Sequence, residues 1–372
     1  MGPSFSCFTQ LTCMMIASLT LGIESPPLQA NPVSESFVTR QGAELRLDQK
    51  PFYFAGANQY YLFYKSQQMV DEVLEDAARM DMTVIRTWAF CDGVWAQGQS
   101  LQPQPRVYNE DSFRKLDYIV YRAGQLGLKV SLALVNNWDT FGGMDAYVNW
   151  SSSARTHDDF YSDGETRAIF RDYINYLLYR TNYYTGRRYK DEPAVIMWEL
   201  ANEPRVEPQR QEQFYAWIDE MAAYIKSIDT QHLVSSGSEG DIATDFVRTH
   251  ASPHIDIASF HLYPEHWNLS DEGALNYIRR HVKQAHEQLG KPIFAGEFGR
   301  TQRGVRDRVY QSWYDEFARL RVDGALVWLL SGHQEDGSLY PDYDGYTVYY
   351  PESQDTVPVI ENYTRSMRMR MH

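Results

Sequence analysis

The sequence predicts a single (β/α)8 TIM barrel with long loops forming an open cleft. Three observations carry that expectation: eight short apolar runs spread along the chain, helical periodicity between them, and long segments after several of the runs. The runs lie at 52–57, 83–89, 129–135, 195–200, 232–236, 255–262, 292–296 and 324–330. Most are continuously apolar rather than alternating, as strands of a parallel sheet buried on both faces are. Strand and helix alternate throughout, which points to a β/α fold and not to segregated layers.

The helices follow in order. Val70, Val73, Leu74 and Ala77 share one face after the first run. Phe113, Leu116, Val120 and Ala123 repeat the pattern, and Gly127 is placed to cap that helix in a left-handed conformation. Phe214, Trp217, Met221 and Ile225 form another such face, as do Leu275, Ile278 and Val282. Long connections run from 91 to 111, from 136 to 165 and onward from Trp328. In this fold the loops after strands build the active face, so long ones there suggest cleft walls.

Composition narrows the partners. The net charge of -14 argues against nucleic acid and anionic membranes, both of which need basic patches. A neutral polysaccharide stays compatible. With 9 Trp and 27 Tyr the chain is rich in rings, which can stack on flat sugar faces as well as fill a core.

Residues 1–30 read as a secretory signal peptide: an apolar stretch from Leu11 to Ile23, then a Pro-containing segment ending at Gln29-Ala30. Lys and Arg are absent from this leader, a departure from the usual pattern, and the apolar stretch is too short to span a bilayer. A secreted, extracellular catalytic domain is therefore expected over 31–372, with no repeat, linker or second domain. Of three cysteines only Cys91 lies beyond the leader, so no internal disulfide is expected. A monomer is expected. Asn149, Asn268 and Asn362 each begin an Asn-x-Ser/Thr sequon. No metal or other cofactor is expected: there is no His-Glu-x-x-His, no cysteine pair and no phosphate-cradling loop, and Asp342 and Asp344 lack the other ligands of a calcium loop.

Two runs carry the chemistry. Trp198-Glu199-Leu200-Ala201-Asn202-Glu203-Pro204 and Phe294-Ala295-Gly296-Glu297-Phe298-Gly299 each bring a glutamate to the end of a buried strand. The interval between Glu203 and Glu297 is about three times the ~30 residues of a βαβ unit, which fits strands four and seven. Two carboxylates on one rim are the minimum equipment for cleaving a glycosidic bond. Glu203 would give the leaving oxygen its proton and later activate water. Glu297 would attack the anomeric carbon.

At this point the chain resembles the glycoside hydrolase family five enzymes of the retaining, four/seven barrel clan, and within them the endo-β-1,4-mannanase branch. The resemblance runs through Gly56-Ala57-Asn58-Gln59-Tyr60-Tyr61, Val84-Ile85-Arg86-Thr87-Trp88, Leu134-Val135-Asn136-Asn137-Trp138-Asp139, Tyr189-Lys190-Asp191-Glu192-Pro193, Ser259-Phe260-His261-Leu262-Tyr263-Pro264 and Asp344-Gly345-Tyr346. It implies Glu203 as acid/base and Glu297 as nucleophile. It implies that Asn202 binds the sugar 2-hydroxyl, that Arg86 keeps the nucleophile ionised, and that Tyr263 bonds to the nucleophile. By the same resemblance His261 lies near the acid/base, and Trp328 floors the subsite of the reacting sugar.

Trp88, Trp138, Trp267, Tyr60 and Asn137 sit at or just beyond strand ends, where each could either contact sugar or simply pack. Many family relatives carry a histidine after strand three. This chain has Val135-Asn136-Asn137-Trp138 there, as the mannanase branch does. The resemblance thus implies a retaining hydrolase of β-1,4-mannosidic bonds in mannan, galactomannan and glucomannan. The alternatives are a β-1,4-glucanase on the same scaffold and a non-catalytic carbohydrate-binding barrel. The second would be expected to have lost one of Glu203, Glu297, Arg86, Asn202, His261 or Tyr263.

Overall fold

The computed structural model describes residues 35–95 and 98–371. The signal-peptide reading of residues 1–30 falls outside them. The barrel strands are β1 (Phe54–Asn58), β2 (Val84–Trp88), β3 (Lys129–Ala133), β4 (Val195–Glu199), β5 (Leu233–Ser235), β6 (Ala258–Leu262), β7 (Ile293–Phe298) and β8 (Gly324–Val327). All are parallel to their neighbours, in the order β5-β4-β3-β2-β1-β8-β7-β6. Asp256 and Ile257 N–H groups donate to Val234 O at 2.8 and 3.4 Å, drawing the two ends of the sheet together. The fold expectation holds for all eight strands.

The expected runs overreach most strands by one to three residues at one end or both, because residues flanking the strands, such as Phe52, Ile255, Leu134 and Val135, are buried as well. The seventh run behaves oppositely: β7 extends past Gly296 to Phe298. Its register against β6 shifts between Ala295 and Glu297, and against β8 between Ala295 and Phe298. Such a bulge re-aims the residues that follow it, and here it sets Glu297 beside His261.

The principal outer helices are α1 (Gln67–Arg79), α2 (Glu110–Gln125), α3 (Gly164–Tyr179), α4 (Gln211–Ile228), α5 (Asp271–Lys283), α6 (Arg303–Leu320) and α7 (Val357–Met369). Side-chain oxygens of Ser66, Asn109, Asp163 and Ser270 cap α1, α2, α3 and α5, accepting from N–H groups of the first turn. α2 ends as expected, with Gly127 at φ 74° just beyond it. The predicted apolar faces of α1, α2, α4 and α5 supply buried residues, Leu275 excepted, which is only partly buried.

An antiparallel ribbon, Thr39–Gln41 with Glu44–Leu47 and Lys50–Pro51, covers the amino-terminal ends of the strands. Val38, Leu45 and Phe52 pack there against Phe54, Ile196 and Phe294. The Arg/Met-rich carboxyl end closes the same face. Thr364 Oγ1 donates to Met80 O, Arg368 to Asp81 O and Met82 O, and Arg370 to Ala318 O, at 2.6 to 3.2 Å. With that end plugged, the opposite rim is left to the long loops. Among the described residues no helix is long and apolar enough to cross a membrane.

Candidate active site

Arg86 is the organising residue. It lies within β2, fully buried, and a buried guanidinium without partners would be strongly destabilising. Every edge is engaged. Nε donates to both oxygens of Glu199 at 2.9 and 3.0 Å. Nη1 donates to Asn58 Oδ1 at 3.0 Å and to Glu297 Oε1 at 2.6 Å. Nη2 donates to Asn202 Oδ1 at 2.9 Å. Glu199 is itself fully buried in β4 and accepts a further bond from Ser131 Oγ at 2.5 Å. The Glu199 carboxylate therefore fixes one side of the guanidinium, and the other side grips the nucleophile and Asn202.

Glu203 follows β4 with φ 52°, a left-handed conformation that costs a residue bearing a Cβ. The turn is held by Asn202 N–H to Val135 O at 2.7 Å and Glu203 N–H to Gly237 O at 3.0 Å. Gly237 has to be glycine for this approach, since a Cβ there would lie 1.8 Å from Ala201 O. The strained turn delivers the Glu203 carboxylate to two partners. His261 Nδ1 lies 2.7 Å from Oε1, and Trp138 Nε1 donates to Oε2 at 2.7 Å.

Glu297 accepts at its other oxygen from Tyr263 Oη, at 2.7 Å. His261 Nδ1 stands 3.6 Å from that same oxygen and so bridges the two carboxylates. One side-chain atom from each of Glu203, His261 and Glu297 lies within 4.8 Å of the other two. Carboxylates this close suit nucleophilic displacement; activation of a water between them needs roughly 6.5–9.5 Å. The same three atoms form the one group among the described residues spaced to chelate a cation. Arg86 against Glu297 and the Glu203–His261 bond already use those oxygens, so the set is arranged to handle protons.

Electrostatics follow from burial and these bonds. At Glu203 burial works to raise the carboxyl, but the His261 and Trp138 donors and the His261 charge outweigh it and hold it below 4.5. At Glu297 burial prevails over His261 and Arg86, and the carboxyl is raised above 4.5. His261 is raised above 6.5, because Glu297 and Glu203 outweigh its burial. Between these two hydrogen-bonded groups the shifts favour the proton on His261 over Glu203.

A cleft of about 890 Å³ opens over this centre. Trp328 lies in it with Nε1 donating to Asp344 Oδ2 at 2.8 Å, and its ring stacks near Tyr60 at 6.1 Å and 22°. Trp88, though almost wholly buried, also borders the cleft, 6.0 Å from Trp328 and with Arg86 5.0 Å from its ring. Beyond Glu203, Arg205 lies over the Trp138 ring at 4.7 Å and binds Glu239 through Nε and Nη2 at 2.7 and 2.8 Å. Burial and the Glu203 charge push Glu239 up to about 7.

The structure brings Arg86, Trp88, Trp138, Asn202, Glu203, His261, Tyr263, Glu297, Trp328 and Tyr60 together at or beneath the cleft. Asn137 and Trp267 stand beside this group, Asn137 through Arg205 and Trp267 with its ring edge-on to Tyr263 at 6.5 Å. Asn137 Oδ1 accepts from the Arg205 N–H at 3.0 Å and pairs with His157 Nε2 at 3.2 Å. Its neighbour Asn136 borders the cleft and accepts from Asn202 Nδ2 at 3.0 Å. The half-buried Trp267 ring also packs against Tyr277, centroids 5.2 Å apart, and its neighbour His266 borders the cleft.

Sequence reasoning missed Glu199, Glu239, Arg205 and Asp344 as site residues. A signal existed for Glu199: a lone carboxylate inside an apolar strand needs a buried cation, and Arg86 is a lone cation inside another.

A family profile described as GH family 5 beta-mannosidase-like matches residues 35–318. The chain belongs to glycoside hydrolase family 5. Among its family 5 relatives, mannan endo-1,4-beta-mannosidase 3 of Arabidopsis thaliana is 32% identical over 410 residues, covering 97% of this chain and 96% of that one. Mannan endo-1,4-beta-mannosidase 1 of Oryza sativa subsp. japonica is 33% identical, covering 89% and 86%. The crystal structure of the endo-1,4-beta-mannanase from Rhizomucor miehei superposes with a TM-score of 0.79 at 31% identity, covering 90% of this chain and 100% of that one. The endo-beta-1,4-mannanase from Thermotoga petrophila gives 0.78 at 34%, covering 85% and 77%. This family 5 protein is a glycoside hydrolase.

Proposed function

We propose that the protein is a secreted, monomeric endo-β-1,4-mannanase that cuts internal bonds of mannan, galactomannan and glucomannan with net retention. The observation that carries the mechanism is the Glu203–His261–Glu297 cluster, its atoms within 4.8 Å of one another at the base of an open cleft. Glu297, oriented by Arg86 and Tyr263, attacks the anomeric carbon from its fixed position. Glu203 protonates the leaving oxygen, taking up the proton it shares with His261. As Glu297 becomes an ester its charge disappears, and Glu203 then deprotonates the incoming water. Asn202, turned by Arg86 and Asn136, offers its amide to the 2-hydroxyl of the reacting sugar. The choice of mannan rests on the named relatives and on the strand-three sequence. Secretion rests on the leader pattern.

Reducing-sugar release on linear β-1,4-mannan, compared with soluble cellulose, tests the substrate. Strong release on mannan and little on cellulose is expected. The reverse would move the protein to β-1,4-glucan with the same two glutamates.

The cluster also sets the pH response. Protonating Glu297 removes the nucleophile, so kcat/KM should fall as pH drops through a value above 4.5. Losing the proton shared by His261 and Glu203 removes the acid, so kcat/KM should also fall as pH rises through a value above 6.5. A bell-shaped profile on mannohexaose is expected, and His261→Asn should displace its alkaline limb. An alkaline limb that stays in place in that variant would show that His261 does not share the proton.

A further inference from the structure

The hydroxyl that Tyr263 gives to Glu297 is only as fixed as the Tyr263 ring. That ring lies one residue past the end of β6, where the sheet no longer decides where a side chain points. Two other rings hold it. His266 stacks on one side, centroids 5.5 Å apart at 21°. Tyr346 meets it edge-on at 5.3 Å and 65°. The two are joined to each other, with Tyr346 Oη 3.0 Å from His266 Nε2. Such ring contacts restrict both tilt and position.

Tyr346 is itself anchored. It is buried, and its ring covers Gly299, where a Cβ would come within 2.4 Å of it. Gly299 directly follows β7, the strand that carries Glu297. The main chain on both sides of Tyr346 is pinned by the buried Arg306 of α6, which donates to Gly345 O at 2.6 Å and to Thr347 O at 3.1 Å. Asp342 Oδ1 accepts from the N–H groups of Gly345 and Thr347 and from Thr347 Oγ1, at 2.8 to 3.1 Å. Asp344 Oδ1 accepts from the Tyr346 N–H at 3.0 Å, while its other oxygen holds Trp328. The Asp344-Gly345-Tyr346 run thus touches both the floor of the cleft and the ring beside the nucleophile.

We propose that Tyr346 is a positioning residue for the nucleophile: joined to His266, it clamps the Tyr263 ring and so keeps Tyr263 Oη on Glu297. The proposal rests on the mannanase reading for its substrate. It has a consequence for pH. Burial raises the Glu297 carboxyl, and the Tyr263 bond is among the contacts that work against burial. The groups facing Glu297 are His261, Arg86, Glu203 and Tyr263. Those around Tyr346 are Glu265, Asp344, Tyr310 and Arg300, with His266 at its hydroxyl. Releasing the clamp removes none of these side chains. It loosens the Tyr263 bond, so the carboxyl rises further and the acid limb of kcat/KM moves to higher pH.

The test measures kcat, KM and the acid limb on mannohexaose for Tyr346→Phe and Tyr346→Ala, each alone and in a Tyr263→Phe background. Tyr346→Ala should lower kcat by about 10- to 100-fold, as a misplaced reacting group does, and shift the acid limb upward with little change in KM. Tyr346→Phe, which keeps the ring over Gly299 and loses only the His266 bond, should lower kcat by about threefold. In the Tyr263→Phe background the hydroxyl to be positioned is absent, so either change should alter kcat by less than about twofold and leave the limb in place. A loss undiminished in that background, or one that appears in KM, would mean that Tyr346 contacts sugar or only supports its loop, and would overturn the proposal. Wild-type kcat in both single variants would overturn it as well. If a melting curve shows Tyr346→Ala unfolded, Tyr346→Phe decides by the same comparison. Wild type that fails to cleave mannohexaose would defeat the mannanase reading, and the same variants compared on a β-1,4-glucan oligosaccharide would then decide the role of Tyr346 separately.

Discussion

Glu297→Ala is expected to lower kcat on β-1,4-mannan by about 10⁵-fold while mannohexaose still binds. Glu297 is the carboxylate that Arg86 and Tyr263 present to the cleft, and neither neighbouring side chain can take its place. The variant should remain folded for a specific reason. Removing Glu297 frees only Nη1 of Arg86 from one partner, while Nε keeps both Glu199 oxygens, Nη1 keeps Asn58 and Nη2 keeps Asn202. The guanidinium is never left as an unpaired buried charge. Calorimetric binding together with a melting curve separates the two effects. Full activity would exclude the mechanism, and loss of binding would show that Glu297 holds substrate as well as attacking it.

Glu203→Ala is expected to lower kcat on mannan by about 10³- to 10⁴-fold, and its signature lies in the dependence on leaving group. An aryl β-mannobioside needs no proton to depart, so formation of the Glu297 ester should survive and its breakdown should stall. Azide, which needs no general base, should restore turnover and give a β-mannosyl azide. The space vacated by the Glu203 side chain, between Trp138 Nε1 and His261 Nδ1, is where the anion would enter. An α-azide, or no rescue, would contradict assignment of Glu203 as acid/base in a double displacement.

The fold was legible because burial on both faces writes each barrel strand as an unbroken apolar run, and helices of one apolar stripe separate them. Strand ends were less legible. Apolar residues such as Leu134 and Val135 continue into loops that are also buried, so hydrophobicity does not stop where pairing stops. The β7 bulge leaves no hydrophobic signature, yet it sets the pairing of Glu297 with His261.

The site was legible where a motif fixes both residue and turn, as at Asn202-Glu203 and Glu297. It was not legible where a one-residue step decides which way a side chain points. Asn136 and Asn137 have the same chemistry, and past the end of a strand consecutive side chains diverge, so one reaches the cleft and its neighbour supports the wall. Trp267 poses a similar choice. A tryptophan near a strand end can face the cleft or a neighbouring helix, and Tyr277 of α5 offers it a ring to pack on. Arg205 and Glu239 escaped notice because a pair on two different loops carries no local pattern. Their proximity exists only after β4 and β5 are placed side by side.

The most direct measurement is time-resolved proton NMR of mannohexaose during its first turnovers. Internal cleavage, with the new reducing ends appearing first as the β-anomer and only later relaxing toward the equilibrium mixture, is the result the Glu203–Glu297 geometry predicts. New ends appearing first as the α-anomer would mean direct attack by water and would contradict a covalent role for Glu297.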